Sequence, residues 1–239
     1  MGVKPLSDIL DTVGAIARTV PDAALLAAAL TGRRNLLVDE TAAAASTPRV
    51  GICRTHEWKH AQPEMAEALE GAARRLAAAG AQVAEVALPA SFAGLVAAQT
   101  DIMFAQQAES LAYERLSRWE QISERLQGIL DAGTKVSPKR FDAAVALARE
   151  CRRALAEVFA GFDVLLAPSA TGAAPEGLGM TGDAVFNRMW TLLGTPCVNI
   201  PVAADARGLP VGLQAVGPIG SDAHTLAAAH WLHRTLAPA

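Results

Sequence analysis

The chain alternates between short apolar runs of strand length and longer stretches in which apolar residues recur at helical spacing. Residues 49–53 form an apolar run, and residues 82–88 alternate between apolar and polar positions, so each predicts a strand. Between them a helical pattern begins at Pro63 and ends at Gly80. A strand, a helix and a second strand in this order predict two parallel strands joined by a helical crossover.

The pattern in the second half predicts a buried strand and a hairpin. Residues 163–168 are a continuous apolar run bounded by turns, which is typical of a strand covered on both faces. Residues 169–182 are rich in Gly, Ala and Pro and predict a loop, and residues 186–193 predict a short helix. Residues 197–203 and 209–217 predict two strands that are antiparallel because a short turn joins them.

The remaining helices are predicted from their capping residues. Thr19, Ser137 and Ser221 each precede a helical pattern. The three helices are predicted to end at Gly32, near Ala160 and near Leu236. Residues 91–131 predict mostly helix, with breaks near Gly128 and Gly133.

Strands separated by helices predict the α/β class, here a layered α/β/α fold around a mixed sheet. Residues 1–239 are expected to form a single domain of this class. Residues 1–18 are expected to be extended or irregular. Residues 41–48 have little to pack and predict a loop or linker.

The net charge, the length of the apolar runs and the number of cysteines argue against nucleic-acid-binding, membrane and disulfide-rich proteins. With 21 basic and 24 acidic side chains the net charge is -3, which offers no basic footprint for nucleic acid. The most apolar run, residues 23–30, is far shorter than the ~20 residues that span a bilayer, so no membrane association is expected. The three cysteines are too few for a disulfide framework and favour a cytoplasmic protein. Cys197 begins a predicted buried strand, and His224, His230 and His233 are expected to be solvated on the last helix.

Two short motifs suggest metal and cofactor binding. His56, Glu57 and His60 match HExxH, which binds zinc when a helix places both imidazoles on one face. Here the motif follows a strand and precedes Pro63, so a chance match in a loop competes with a zinc hydrolase. Residues 177–182 match GxGxxG, but neither a strand directly before them nor a helix opening at the last glycine is predicted. We therefore expect no metal and no cofactor.

Four segments, in order along the chain, resemble the amidase signature family. They are Leu10–Gly14 (LDTVG) with the following Ala17–Ala24, Asp163–Ser169 (DVLLAPS), Phe186–Pro196 (FNRMWTLLGTP) and Gly208–Gln214 (GLPVGLQ). The resemblance implies an α/β/α fold and hydrolysis of a carboxamide by a Ser–cis-Ser–Lys triad. In the family the lysine, both serines and the glycine-rich oxyanion loop precede the LDTVG segment. The resemblance thus implies the C-terminal portion only, with no catalytic residues of its own.

By the same resemblance, Asn187, Trp190 and Thr191 border the substrate pocket. The competing interpretation is that Asn187 caps a helix and Trp190 lies in the core. Since the family's sheet is shared between its halves, we expect strand edges and apolar faces to be exposed. A second copy or a partner chain would cover them.

The sequence therefore predicts the C-terminal portion of an amidase-family hydrolase. It would supply scaffold and pocket wall, and it would meet a small amide substrate only when the N-terminal half is present. It could be a truncated amidase, one chain of a split enzyme, or a non-catalytic binding or structural protein derived from the family. A zinc hydrolase that uses His56, Glu57 and His60 remains the other alternative.

Overall fold

The computed structural model describes residues 2–38 and 47–237. Of the predicted linker, only residues 47 and 48 fall within this part, and they have no regular structure. The rest of the linker, residues 41–46, lies outside the described residues. Residues 2–18 contain no helix or strand, as predicted.

Five strands form one mixed sheet. They are β1 (Arg49–Ile52), β2 (Gln82–Glu85), β3 (Val164–Pro168), β4 (Cys197–Ala204) and β5 (Pro210–Val216). Their order across the sheet is β2-β1-β3-β5-β4. β1 is parallel to β2 and β3, whereas β5 is antiparallel to β3 and β4. The parallel crossover and the antiparallel hairpin are both confirmed.

Eight α-helices are described. They are α1 (Val20–Thr31), α2 (Pro63–Ala78), α3 (Leu95–Ser110), α4 (Ala112–Ser117), α5 (Glu124–Thr134), α6 (Pro138–Val158), α7 (Val185–Leu193) and α8 (Asp222–Leu236). Short 3-10 turns cover Arg34–Leu36, Trp58–His60, Ala90–Gly94, Trp119–Gln121 and Phe159–Gly161. No described helix has both the length and the apolar character that crossing a membrane requires.

The helices cover both faces of the sheet because successive strand residues point to opposite sides. Val164 and Leu166 of β3 pack into a core with α1, α2 and α8. Leu165 and Ala167 pack into a second core with α3, α6 and α7. All four are buried, as expected of a strand covered on both faces. The α/β/α class with a mixed sheet is therefore confirmed.

The predicted break near Gly128 is wrong, because Gly128 lies inside α5, whereas the break near Gly133 is confirmed: α5 ends at Thr134 and α6 begins at Pro138. The helical region is interrupted earlier, at Leu111 and at residues 118–123, and the Ser123 hydroxyl caps α5 by accepting from the Leu126 amide at 3.3 Å. Gly133 serves close packing: a Cβ there would overlap the Phe104 carbonyl oxygen of α3. Gly133 thus lies in the last turn of α5 and also allows α5 to pack closely on α3.

Three expectations near the C-terminus also need correction. Ser221 precedes α8, but its hydroxyl donates to the Pro218 carbonyl oxygen at 2.6 Å and does not cap the helix. His230 is buried, because α8 packs its face against the sheet. Cys197 is exposed, because β4 is the last strand of the sheet and its burial alternates along the strand.

Candidate functional site

A buried glutamine joins three elements at the end of β3. Gln214 lies in β5 opposite Ala167 of β3 and is only 3% exposed. Its Nε2 donates to the carbonyl oxygens of Pro168, at 2.6 Å, and Phe186, at 3.1 Å. One acceptor ends β3 and the other lies in the first turn of α7. The amide therefore fixes both ends of the loop of residues 169–184.

The first residue of that loop is held from two further sides. The Ser169 hydroxyl donates to the Gly212 carbonyl oxygen of β5 at 2.7 Å. The Asn187 Nδ2 donates to the Ser169 carbonyl oxygen at 2.8 Å. Together with the Gln214 bonds, these contacts attach the start of the loop to both β5 and α7.

The C-terminal end of α7 is also fixed. Gly194 ends the helix with φ of 72°, the left-handed conformation that favours glycine. The Arg152 guanidinium donates to the carbonyl oxygens of Leu192, at 2.6 Å, and Leu193, at 3.1 Å. A cation that binds the unpaired carbonyls of a helix C-terminus stabilises it. The helix carrying the predicted pocket residues is therefore anchored at both ends.

The structure places the three predicted pocket residues on α7, on two different sides of the helix. Asn187 and Thr191 are half-buried and one turn apart, and the Thr191 hydroxyl donates to the Asn187 carbonyl oxygen at 3.2 Å. Trp190 is 1% exposed and packs in the core with α3 and α6. Its Nε1 has no hydrogen-bond partner among the residues described. The Asn187 Oδ1 also accepts no hydrogen bond from the described chain.

Gln214 and Ser169 lie within the family-like motifs, but the sequence did not mark them as site residues. One local signal pointed to Gln214: it is a polar residue in an otherwise apolar run that precedes the last helix. A polar side chain buried in such a strand must find hydrogen-bond partners. No local signal identified those partners, because Pro168 and Phe186 are remote from Gln214 in sequence.

The HExxH segment does not form a metal-binding helix. Its residues occupy a turn and the 3-10 helix Trp58–His60, and not an α-helix. The His56 Nε2 lies 3.0 Å from the Pro89 carbonyl oxygen, and the His60 Nε2 lies 3.5 Å from the Glu57 Oε2. Within residues 2–38 and 47–237, no three His, Cys, Asp or Glu side chains are grouped as metal ligands.

The GxGxxG segment lies in the irregular loop before α7. Gly177 and Gly182 both have positive φ, 84° and 95°, a backbone conformation that favours glycine. Residues 169–176 separate the segment from β3, and α7 begins only at Val185, so the strand–glycine–helix arrangement of a dinucleotide site is not formed.

No lysine–serine pair is formed in the part of the chain that the structure describes. All four lysines are exposed, and none forms a hydrogen bond with a serine; Lys4 pairs with Glu114. Burial raises the pKa of Cys53 to about 12. The Cys197 sulfur lies 3.6 Å from the Thr195 Oγ1, and burial also raises the pKa of the Cys151 thiol. Thiols with raised pKa values remain protonated at neutral pH and are poor nucleophiles.

A separate cleft of about 490 Å³ lies beside β4. It is lined by residues 13–20, by parts of α1 and α8, and by Pro196–Pro201. None of the three predicted pocket residues lines it.

Comparisons with known proteins agree with the sequence motifs. The family model described as Amidase matches residues 1–226. The 2-amino-5-chloromuconic acid deaminase of Comamonas testosteroni is 30% identical over 240 residues, covering 94% of this chain and 51% of the deaminase. A glutamyl-tRNA(Gln) amidotransferase subunit of Cereibacter sphaeroides is also 30% identical, covering 98% of this chain and 57% of that relative.

Solved structures share the fold. A crystal structure of an amidase superposes with a TM-score of 0.84 and 27% identity, covering 97% of this chain and 54% of that protein. A chain from a structure described as a vestigial protein complex that reveals the evolutionary origins of an s-triazine catabolic enzyme superposes with a TM-score of 0.82 at 20% identity. The chain thus spans about half the length of the relatives that it matches. With the family model matched over nearly the whole chain, the protein belongs to the amidase signature family.

Proposed function

We propose that this chain is the C-terminal portion of an amidase-family hydrolase and does not hydrolyse amides by itself. The observation that carries the proposal is the surface position of all four lysines in a chain that matches amidases over about half their length. A lysine that acts as a base must be neutral, and burial is what lowers the pKa of an ammonium group. None of the four lysines contacts a serine hydroxyl in the described structure, so none is placed to take a proton from one.

The contribution of this portion would be a rigid pocket wall. The contacts around Gln214, Ser169 and Arg152 fix the loop and the helix that carry Asn187 and Thr191. The Asn187 Oδ1 would accept a hydrogen bond from the N–H of a carboxamide. Trp190 would hold α7 in place by packing in the core against α3 and α6. A small amide would bind only when the N-terminal half is present, and no cofactor is required.

We also propose that this chain is cytoplasmic and that it assembles with further chains there. Both end strands of the sheet, β2 and β4, have one edge without a partner strand in the described structure. Unpaired edges recruit further chains unless they are covered. The chain would accordingly form a homo-oligomer or bind a partner chain.

Amide hydrolysis by the purified chain tests the catalytic part of the proposal. We expect no ammonia release from a panel of aliphatic and aromatic carboxamides, with a full-length family amidase assayed in parallel as the positive control. Loss of nucleophile and base together costs several orders of magnitude in rate. Turnover that stays with the chain through further purification, and that falls in Asn187→Ala, would refute it.

The alternative is a non-catalytic binding or structural protein derived from the family. Its support is the same exposed position of the lysines. The DNA upstream of Met1 distinguishes the two. In-frame codons for a lysine, two serines and a glycine-rich loop would favour the hydrolase portion. Their absence would favour the binding protein.

A further inference from the structure

We draw no further inference here: the strongest candidate, the cleft of about 490 Å³ that β4, α1, α8 and residues 13–18 line, carries none, because nothing in the structure shows what covers it beyond the further chain already expected at the sheet edges.

Discussion

The Pro168 and Phe186 carbonyl oxygens share a single side-chain donor, the amide of Gln214. Gln214 is 3% exposed, so water cannot easily replace it. Buried acceptors that lose their donor carry a desolvation penalty that a surface group does not. At the scale of the residue, the Gln214 amide holds both ends of the loop of residues 169–184.

Gln214→Leu should lower the free energy of unfolding by about 1–3 kcal/mol, because both carbonyls then lose a hydrogen bond inside the protein. Urea unfolding monitored by tryptophan fluorescence measures the change. The matched control is Gln121→Leu, at an exposed glutamine whose side chain makes no described hydrogen bond. It should stay within about 0.5 kcal/mol of wild type. Equal losses in the two variants would contradict the role of Gln214.

At the scale of elements, the packing of α5 on α3 depends on one glycine. α5 contains Gly128, beside which there is open space, and Gly133, which is closely packed against α3. A Cβ at Gly128 would meet no atom within 4 Å, whereas one at Gly133 would overlap the Phe104 carbonyl oxygen. The two glycines therefore form a natural pair for comparison within one helix.

Gly133→Ala should destabilise the protein by about 1–3 kcal/mol, since the backbone of α3 must move to admit the methyl group. Gly128→Ala should stabilise it by about 0.5–1 kcal/mol, because alanine loses less conformational entropy than glycine in a helix. Thermal and urea unfolding of both variants measure whether the free energy of unfolding falls or rises. A shift in the same direction for both would show that α5 does not pack as described.

At the scale of the molecule, the position of the HExxH segment bears on metal chemistry. It lies in the connection between β1 and α2, where a 3-10 turn replaces the α-helix that zinc binding by this motif requires. His56 and His60 have different partners, the Pro89 carbonyl and Glu57. The two imidazoles are not presented as one pair of ligands.

We predict that the purified chain carries no stoichiometric zinc and that His60→Ala leaves its metal content unchanged. Elemental analysis after dialysis against a zinc-containing buffer and then a metal-free buffer measures this. His224→Ala, at an exposed histidine on α8, is the control. One zinc per chain that His60→Ala removes and His224→Ala retains would establish the zinc hydrolase instead.

The amino-acid sequence by itself determined the α/β class, the parallel crossover of β1 and β2, the hairpin of β4 and β5, and the family. These features follow from local periodicity, capping residues and contiguous motifs, which neighbouring residues in the chain encode. It did not determine the interruptions at Leu111 and at residues 118–123, and Gly128, where it predicted a break, lies inside α5. The pocket role of Asn187, Trp190 and Thr191 stays a prediction.

Only the tertiary structure decided which surfaces are exposed and which polar groups are buried. Gln214 reaches Pro168 and Phe186 across 46 and 28 residues of sequence, and such contacts leave no local pattern. Likewise, the exposure of Cys197 and the cleft beside Ile16 depend on β4 lying at the end of the sheet. The order of strands across a sheet is set by packing between distant segments, and that is why the sequence alone could not supply it.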